Sequence, residues 1–128
     1  MHTGYKVFDA MTHKPIMAQM DDSLKTCAQL MADEHVGAII IEDAGMYYIA
    51  TEQDMVRRGV AESMDAATTK ISAVMKQMIH SVAPDADIFE ALQVMRDANV
   101  RHLAVVDDGK MVGLLTGKDI LKIQPQII

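Results

Sequence analysis

Apolar residues recur along this chain in two alternating rhythms. Between residues 23 and 31, Leu24, Cys27, Ala28 and Met31 fall at i, i+3, i+4 and i+7, one face of a helix, and Ser23 stands before them as an N-cap. A short apolar run, Val36 to Ile41, follows; then comes an acidic turn ending in glycine, Glu42-Asp43-Ala44-Gly45, and a second apolar run ending in Thr51. That pattern predicts strand, turn and strand. Thr51-Glu52-Gln53-Asp54-Met55-Val56 begins with an N-cap residue type and continues in helix formers, which predicts a short closing helix.

The same signals return further on. Met11 matches Met75, Asp21 matches Asp85, Met31 matches Met95, Val36 matches Val100, Asp43 matches Asp107 and Gly45 matches Gly109, all at a separation of 64 residues. Thr51 and Thr116, and Asp54 and Asp119, match at 65, so the second copy carries one extra residue in the hairpin that follows Gly109. In that copy Asp87 and Glu90 make a capping pair ahead of the helix, and His102 to Val106 is the first strand of the hairpin. Each copy therefore reads β-α-β-β-α, an α/β (α+β) fold, and the boundary falls near residue 64, giving repeats 1–63 and 64–128. In the link between them, Thr69 is expected to cap a short lead-in helix from Ile71 to Met75. A unit of about sixty residues cannot bury both faces of its sheet, so the two copies are expected to pack together, sheet to sheet, with pseudo-two-fold symmetry.

Composition narrows the function classes. Half of the 128 residues are apolar, enough for a core, and 12 methionines with no tryptophan make that core adaptable. With 12 Lys and Arg against 18 Asp and Glu, the net charge of −6 argues against a broad grip on nucleic acid or anionic lipid, and Arg57-Arg58 is only a local basic pair. Cys27 is the single cysteine, which excludes an intrachain disulfide or a thiolate zinc site and suits a reducing cytoplasm. No apolar run approaches the roughly 18 residues of a membrane span. The five histidines form no metal-binding spacing, no serine sits in a nucleophile elbow, and the seven glycines make no phosphate loop. Neither catalytic nor metal-ligating residues are expected.

The lead-ins Val7 to Thr12 and Ile71 to Lys76, the segment Val82-Ala83-Pro84-Asp85, the run Asn99 to Asp107, and Val112-Gly113-Leu114-Leu115-Thr116-Gly117-Lys118-Asp119 carry a family resemblance. In this order, and twice over, they make the chain resemble a tandem pair of cystathionine β-synthase (CBS) domains, a Bateman module. The resemblance implies a regulatory module, without a resident cofactor, that binds an adenosine-containing ligand such as AMP, ADP, ATP or S-adenosylmethionine in clefts between the repeats. It also implies a homodimer and a regulated protein or domain that reads the ligand-dependent change.

By the same resemblance, the stronger site lies in the second repeat: Met78, Ile79 and His80 against the base, Arg101 and His102 near phosphate, and Thr116, Gly117, Lys118 and Asp119 at the strand-to-helix junction. The weaker one comprises Lys14, Pro15, Ile16, Thr51, Gln53 and Asp54. A helix N-terminus favours phosphate and an aspartate accepts from a ribose diol, but Thr-x-x-Asp is also a plain capping pattern. The first repeat has Gly37 and Ala38 where the second has Arg101 and His102, and Tyr48 where the second has Gly113, so its site is expected to bind weakly, to take a less charged ligand or to be filled by its own side chain. The rival to a ligand sensor is a scaffold, its clefts empty, that dimerises or binds a partner through helices bearing Met31, Met55, Met64 and Met95.

Overall fold

The computed structural model describes residues 3–127, with side chains as far as Ile123. In chain order the elements are α1 (Val7–Ala10), β1 (Met17–Ala18), α2 (Leu24–Glu34), β2 (Ala38–Asp43), β3 (Met46–Thr51) and α3 (Glu52–Asp54), which continues as a π-helical turn, Met55–Val60. A 3-10 turn, Ile71–Ala73, precedes β4 (Lys76–Gln77), β5 (Ser81–Val82), α4 (Ile88–Ala98), β6 (His102–Asp107), β7 (Lys110–Thr116) and α5 (Gly117–Ile127). The β-α-β-β-α order predicted for each copy is present twice, as β1-α2-β2-β3-α3 and β5-α4-β6-β7-α5.

The chain divides into two compact units, one of residues Ile16–Met78, the other of the described residues up to Pro15 together with those from Ile79 on. These bodies are not the same residue sets as the repeats 1–63 and 64–128, because each lead-in packs with the other copy. Val7 and Met11 are buried with Ile88, Met95, Leu103, Val105 and Leu115 of the second copy. Ile71 and Val74 are buried with Leu24, Cys27, Met31, Ile39 and Ile41 of the first. Backbone hydrogen bonds secure both placements: Val7 N–H donates to the Ala86 carbonyl at 2.8 Å, and Ile71 N–H to the Asp22 carbonyl at 2.7 Å.

In the Ile16–Met78 unit a four-stranded sheet runs in the order β1-β2-β3-β4, with β1 parallel to β2 and the other pairs antiparallel. Its helix α2 buries Leu24, Cys27 and Met31, while Ala28, expected on the same face, is exposed and leaves a narrower stripe. Full burial of such a side chain stabilises by roughly 1.5–3 kcal/mol. Ser23 caps α2 as expected, its hydroxyl accepting from Thr26 N–H at 3.0 Å. Ser23→Ala should therefore cost about 1 kcal/mol, read as a lower midpoint in urea unfolding with an unchanged slope. His35 ends α2 in the left-handed conformation (φ 55), as Asn99 (φ 55) ends α4. Thr69 does not cap the lead-in turn; Lys70 holds that position and the Thr69 carbonyl accepts instead from Leu24 N–H.

The other unit carries a three-stranded sheet, β5-β6-β7, with β5 parallel to β6 and β7 antiparallel to it. Asp87 caps α4 by accepting from Phe89 N–H at 2.8 Å. Both hairpins turn through two residues of positive φ, Ala44-Gly45 (52, 79) and Asp108-Gly109 (52, 76), the type I′ geometry that matches strand twist. The extra residue of the second copy is a β-bulge: Val105 faces Gly113 and Val106 faces Met111, which leaves Val112 without a partner across the ladder. Met31 and Met95 lie in these cores rather than on helix surfaces, Met55 packs partly against one of them, and Met64 is exposed.

Candidate ligand site

The charged side chains buried among the described residues are Asp54 and Asp119, at 4% and 6% exposure, one at each strand-to-helix junction. A buried carboxylate is tolerated only with hydrogen-bond partners, so what each one touches decides what it can do. Both act first as caps. Asp54 Oδ2 accepts from the N–H and the hydroxyl of Thr51, each at 3.0 Å, and Thr51 Oγ1 accepts from Asp54 N–H at 3.2 Å. Asp119 Oδ2 accepts from Thr116 N–H at 3.0 Å, and Thr116 Oγ1 from Asp119 N–H at 3.1 Å. The capping pattern is thus real in both copies, and any ligand role rests on the remaining oxygen.

That oxygen has different company in the two units. Asp54 Oδ1 is paired with Lys76 Nζ at 3.3 Å. Asp119 Oδ1 meets the Thr12 hydroxyl at a long 3.4 Å, a bond shared with Oδ2 at 3.3 Å. Thr12 and Lys76 hold the same position in the repeat, one residue after the matched Met11 and Met75. Sequence reading singled out neither, although aligning the lead-ins on those methionines places them side by side. The lead-in reaches Asp119 because Thr12 is bridged to Leu114 in both directions, at 2.8 and 3.0 Å, beside Gly113.

Tyr48, expected to fill the space that Gly113 leaves, packs against the core of its own unit with Ala50 and Met75, and the side chain that reaches the first copy's carboxylate is Lys76. Gln53 is exposed on α3, and Lys118 is exposed beside Gly117 at the start of α5. Arg101 is exposed, and its carbonyl receives Gly117 N–H at 3.0 Å, just as Gly37 receives Glu52 N–H. His102 is half-buried at the start of β6 and pairs with Thr116 across the hairpin. Ile79 and His80 are exposed in the same unit as Asp119; Ile79, at 73% exposure, is an apolar side chain left mostly open. Met78 belongs to the other unit and donates its N–H to the Tyr47 carbonyl. Lys14 is exposed and Pro15 half-buried at the end of the N-terminal segment, and Ile16 opens the Ile16–Met78 unit, its carbonyl accepting from Ile40 N–H.

Arg58 is turned inward from the π-helical turn and donates to the Val74 carbonyl at 2.8 Å, so half of the basic pair is structural. Cys27 is fully buried, and burial, with the nearby Asp22 charge, pushes its thiol from 9.0 up to about 11. A thiol-specific disulfide reagent at pH 8 should therefore leave Cys27 unmodified in the folded protein and label it on unfolding. Because the native state holds this proton more tightly, the thiol's contribution to stability is complete below pH 9.0 and is lost as pH rises toward about 11. A surface hollow of about 540 Å³, with no junction residue in its lining, sets Asp85, Asp87 and Glu90 against a single Lys6, a setting that repels anions. Among the described residues no three His, Cys, Asp or Glu side chains converge on a metal position, and no helix is long and apolar enough to cross a membrane.

The chain is similar to known proteins in sequence and fold. The CBS domain matches this chain twice, over residues 7–61 and 71–125. Hypoxic response protein 1 of Mycobacterium tuberculosis is 30% identical over 107 residues, which cover 82% of this chain and 75% of that protein. Its crystal structure, described as holding two coordinated zinc ions, superposes with a TM-score of 0.77 at 28% identity over 92% of this chain and 98% of that one. The CBS domain pair of a protein crystallised with 5′-methylthioadenosine and S-adenosylmethionine superposes with a TM-score of 0.81 over 94% and 99% of the two chains, at 23% identity, and shares the fold. Other curated relatives are longer: this chain spans 64%, 52% and 60% of three of them, from Methanocaldococcus jannaschii, Arabidopsis thaliana and Methanopyrus kandleri. With two matched repeats, two sheets of the same β-α-β-β-α order and a Thr-x-x-Asp junction in each, the chain belongs to the CBS domain family.

Proposed function

We propose that this CBS pair is a non-enzymatic regulatory module that binds an adenosine-containing ligand, AMP, ADP, ATP or S-adenosylmethionine, at the Thr116/Asp119 junction. The observation that supports this reading is the state of Asp119: a buried carboxylate with one oxygen engaged by the cap and the other touched only by a long Thr12 hydroxyl bond. A ribose diol supplies two O–H donors for that oxygen. Phosphate, where the ligand has one, is favoured by the positive end of the eleven-residue α5 and by Arg101 and Lys118. Ile79 and His80 present apolar and planar surface for the base, and Ile16, Thr51, Gln53 and Asp54, all within the Ile16–Met78 unit, make up the weaker counterpart. A ligand that prefers one arrangement of the module shifts its population, and a regulated protein or domain reads the shift.

Thermal unfolding of the purified protein with each of the four ligands tests the reading. One of them at a hundredfold excess over its dissociation constant adds about 2.7 kcal/mol and raises Tm by several degrees. A second reading, a scaffold that dimerises without ligand, is favoured by exposed Val56 and Val60 on the helical turn after Asp54 and by exposed Leu121 on α5. A folded protein whose Tm none of the four ligands moves supports the scaffold and overturns the sensor.

A further inference from the structure

The two copies present the same carboxylate at the same junction, and the chain treats them differently. Lys76, 61% exposed along its side chain, brings its ammonium to 3.3 Å from Asp54 Oδ1, the oxygen that the cap leaves over. Thr51 saturates the other oxygen with two donors. A hydroxyl of a ribose approaching Asp54 therefore meets an oxygen already facing a full positive charge, and binding exchanges an ion pair for a hydrogen bond from a neutral donor. At Asp119 the same approach exchanges only a long, shared hydroxyl contact from Thr12. Of the positions that differ between the copies, the one whose side chain touches this oxygen is a lead-in residue, threonine in one copy and lysine in the other.

We propose that Lys76 is an internal occupant of the first copy's diol position and restricts the module to one ligand site per chain, the Asp119 site. The inference rests on the adenosine reading above and adds to it the residue that sets the stoichiometry. Lys76 is suited to this role because its stem is solvent-exposed and its strand β4 is anchored to β3 through Ile49↔Lys76 and Tyr48↔Gln77, so the ammonium is delivered from a fixed backbone position.

Calorimetric titration of the full chain with AMP, ADP, ATP and S-adenosylmethionine, on wild type, Lys76→Thr and Lys76→Arg, tests the inference. The threonine variant installs the residue of the other copy at an exposed position, so the fold is retained and is checked by circular dichroism; the arginine variant keeps the cation. The expected result is one ligand per chain for wild type and Lys76→Arg, and two for Lys76→Thr. One ligand per chain for all three proteins overturns the role of Lys76 and leaves the Asp119 site standing. Two per chain for wild type with the phosphorylated ligands alone shows that Lys76 turns toward a phosphate, which also overturns it. Binding by none of the three overturns the role and the adenosine reading together.

Discussion

Asp119→Ala abolishes the ligand-dependent rise in Tm, while Asp54→Ala leaves it in place; this is the expected result that separates the two copies most sharply. Both substitutions remove the carboxylate half of a capping box, the bond accepted from the Thr51 or Thr116 N–H, so both lower the ligand-free Tm, by the several degrees that about 1 kcal/mol represents. The ligand-dependent increment is what differs. Asp119 offers an oxygen that no cation holds, whereas Asp54 offers one already paired to Lys76. A thermal-shift series on each variant, referred to its own ligand-free Tm, removes the capping cost from the comparison. Asp119→Asn sharpens it further, because an amide oxygen still accepts from Thr116 N–H but the side chain loses the charge and one acceptor, so capping survives and diol recognition falls. An increment that persists in Asp119→Ala and vanishes in Asp54→Ala would assign the ligand to the other junction.

The elements were legible in the sequence because local chemistry determines them. Ser23 and Asp87 cap the helices they were expected to cap, the Asp-Gly and Ala-Gly turns make two-residue hairpins, and the single inserted residue of the second copy surfaces as a bulge at Val112. Both Thr-x-x-Asp pairs are formed. What stayed hidden depends on contacts distant in sequence. A repeat says which residues are copies, but not which core an apolar lead-in enters, and Val7 and Met11 are as apolar in one body as in the other. Tyr48 drew attention by its size, yet strand alternation sends it to the same face as Ala50 and into the core. Lys76 gave no local signal at all, since an exposed lysine near a strand end is ordinary; only its partner, 22 residues earlier in the chain, makes it part of the site. Where the sequence predicts plain helix, α3 continues as a π-helical turn, and there Gly59 sits so close to α2 that a Cβ would lie 3.3 Å from Leu24 Cδ1.

Gly113 is where packing and site meet, and Gly113→Ala is expected to destabilise the protein by about 2 kcal/mol, a fall in Tm of roughly 6–8 °C. The cause is space rather than backbone conformation, because φ at Gly113 is not positive. An added Cβ would stand 2.6 Å from Met11 Sδ and 2.9 Å from the Thr12 carbonyl oxygen. The methionine can rotate away at the expense of core packing; the carbonyl cannot, since it accepts from Leu114 N–H at 3.0 Å in the bridge that docks the lead-in. Gly117→Ala supplies the contrast: nothing lies within 4 Å of its Cβ, φ is not positive, and the residue opens a helix, so its effect should fall within about 0.5 kcal/mol of neutral. If the two variants unfold at the same urea concentration, close packing of the lead-in is not what Gly113 provides. The same displacement moves the Thr12 hydroxyl off Asp119, so Gly113→Ala should also change ligand affinity without touching a ligand-contacting side chain. A loss of stability with unchanged affinity would mean that the Asp119 carboxylate is held by its cap alone, and that Thr12 contributes nothing to how the site is presented.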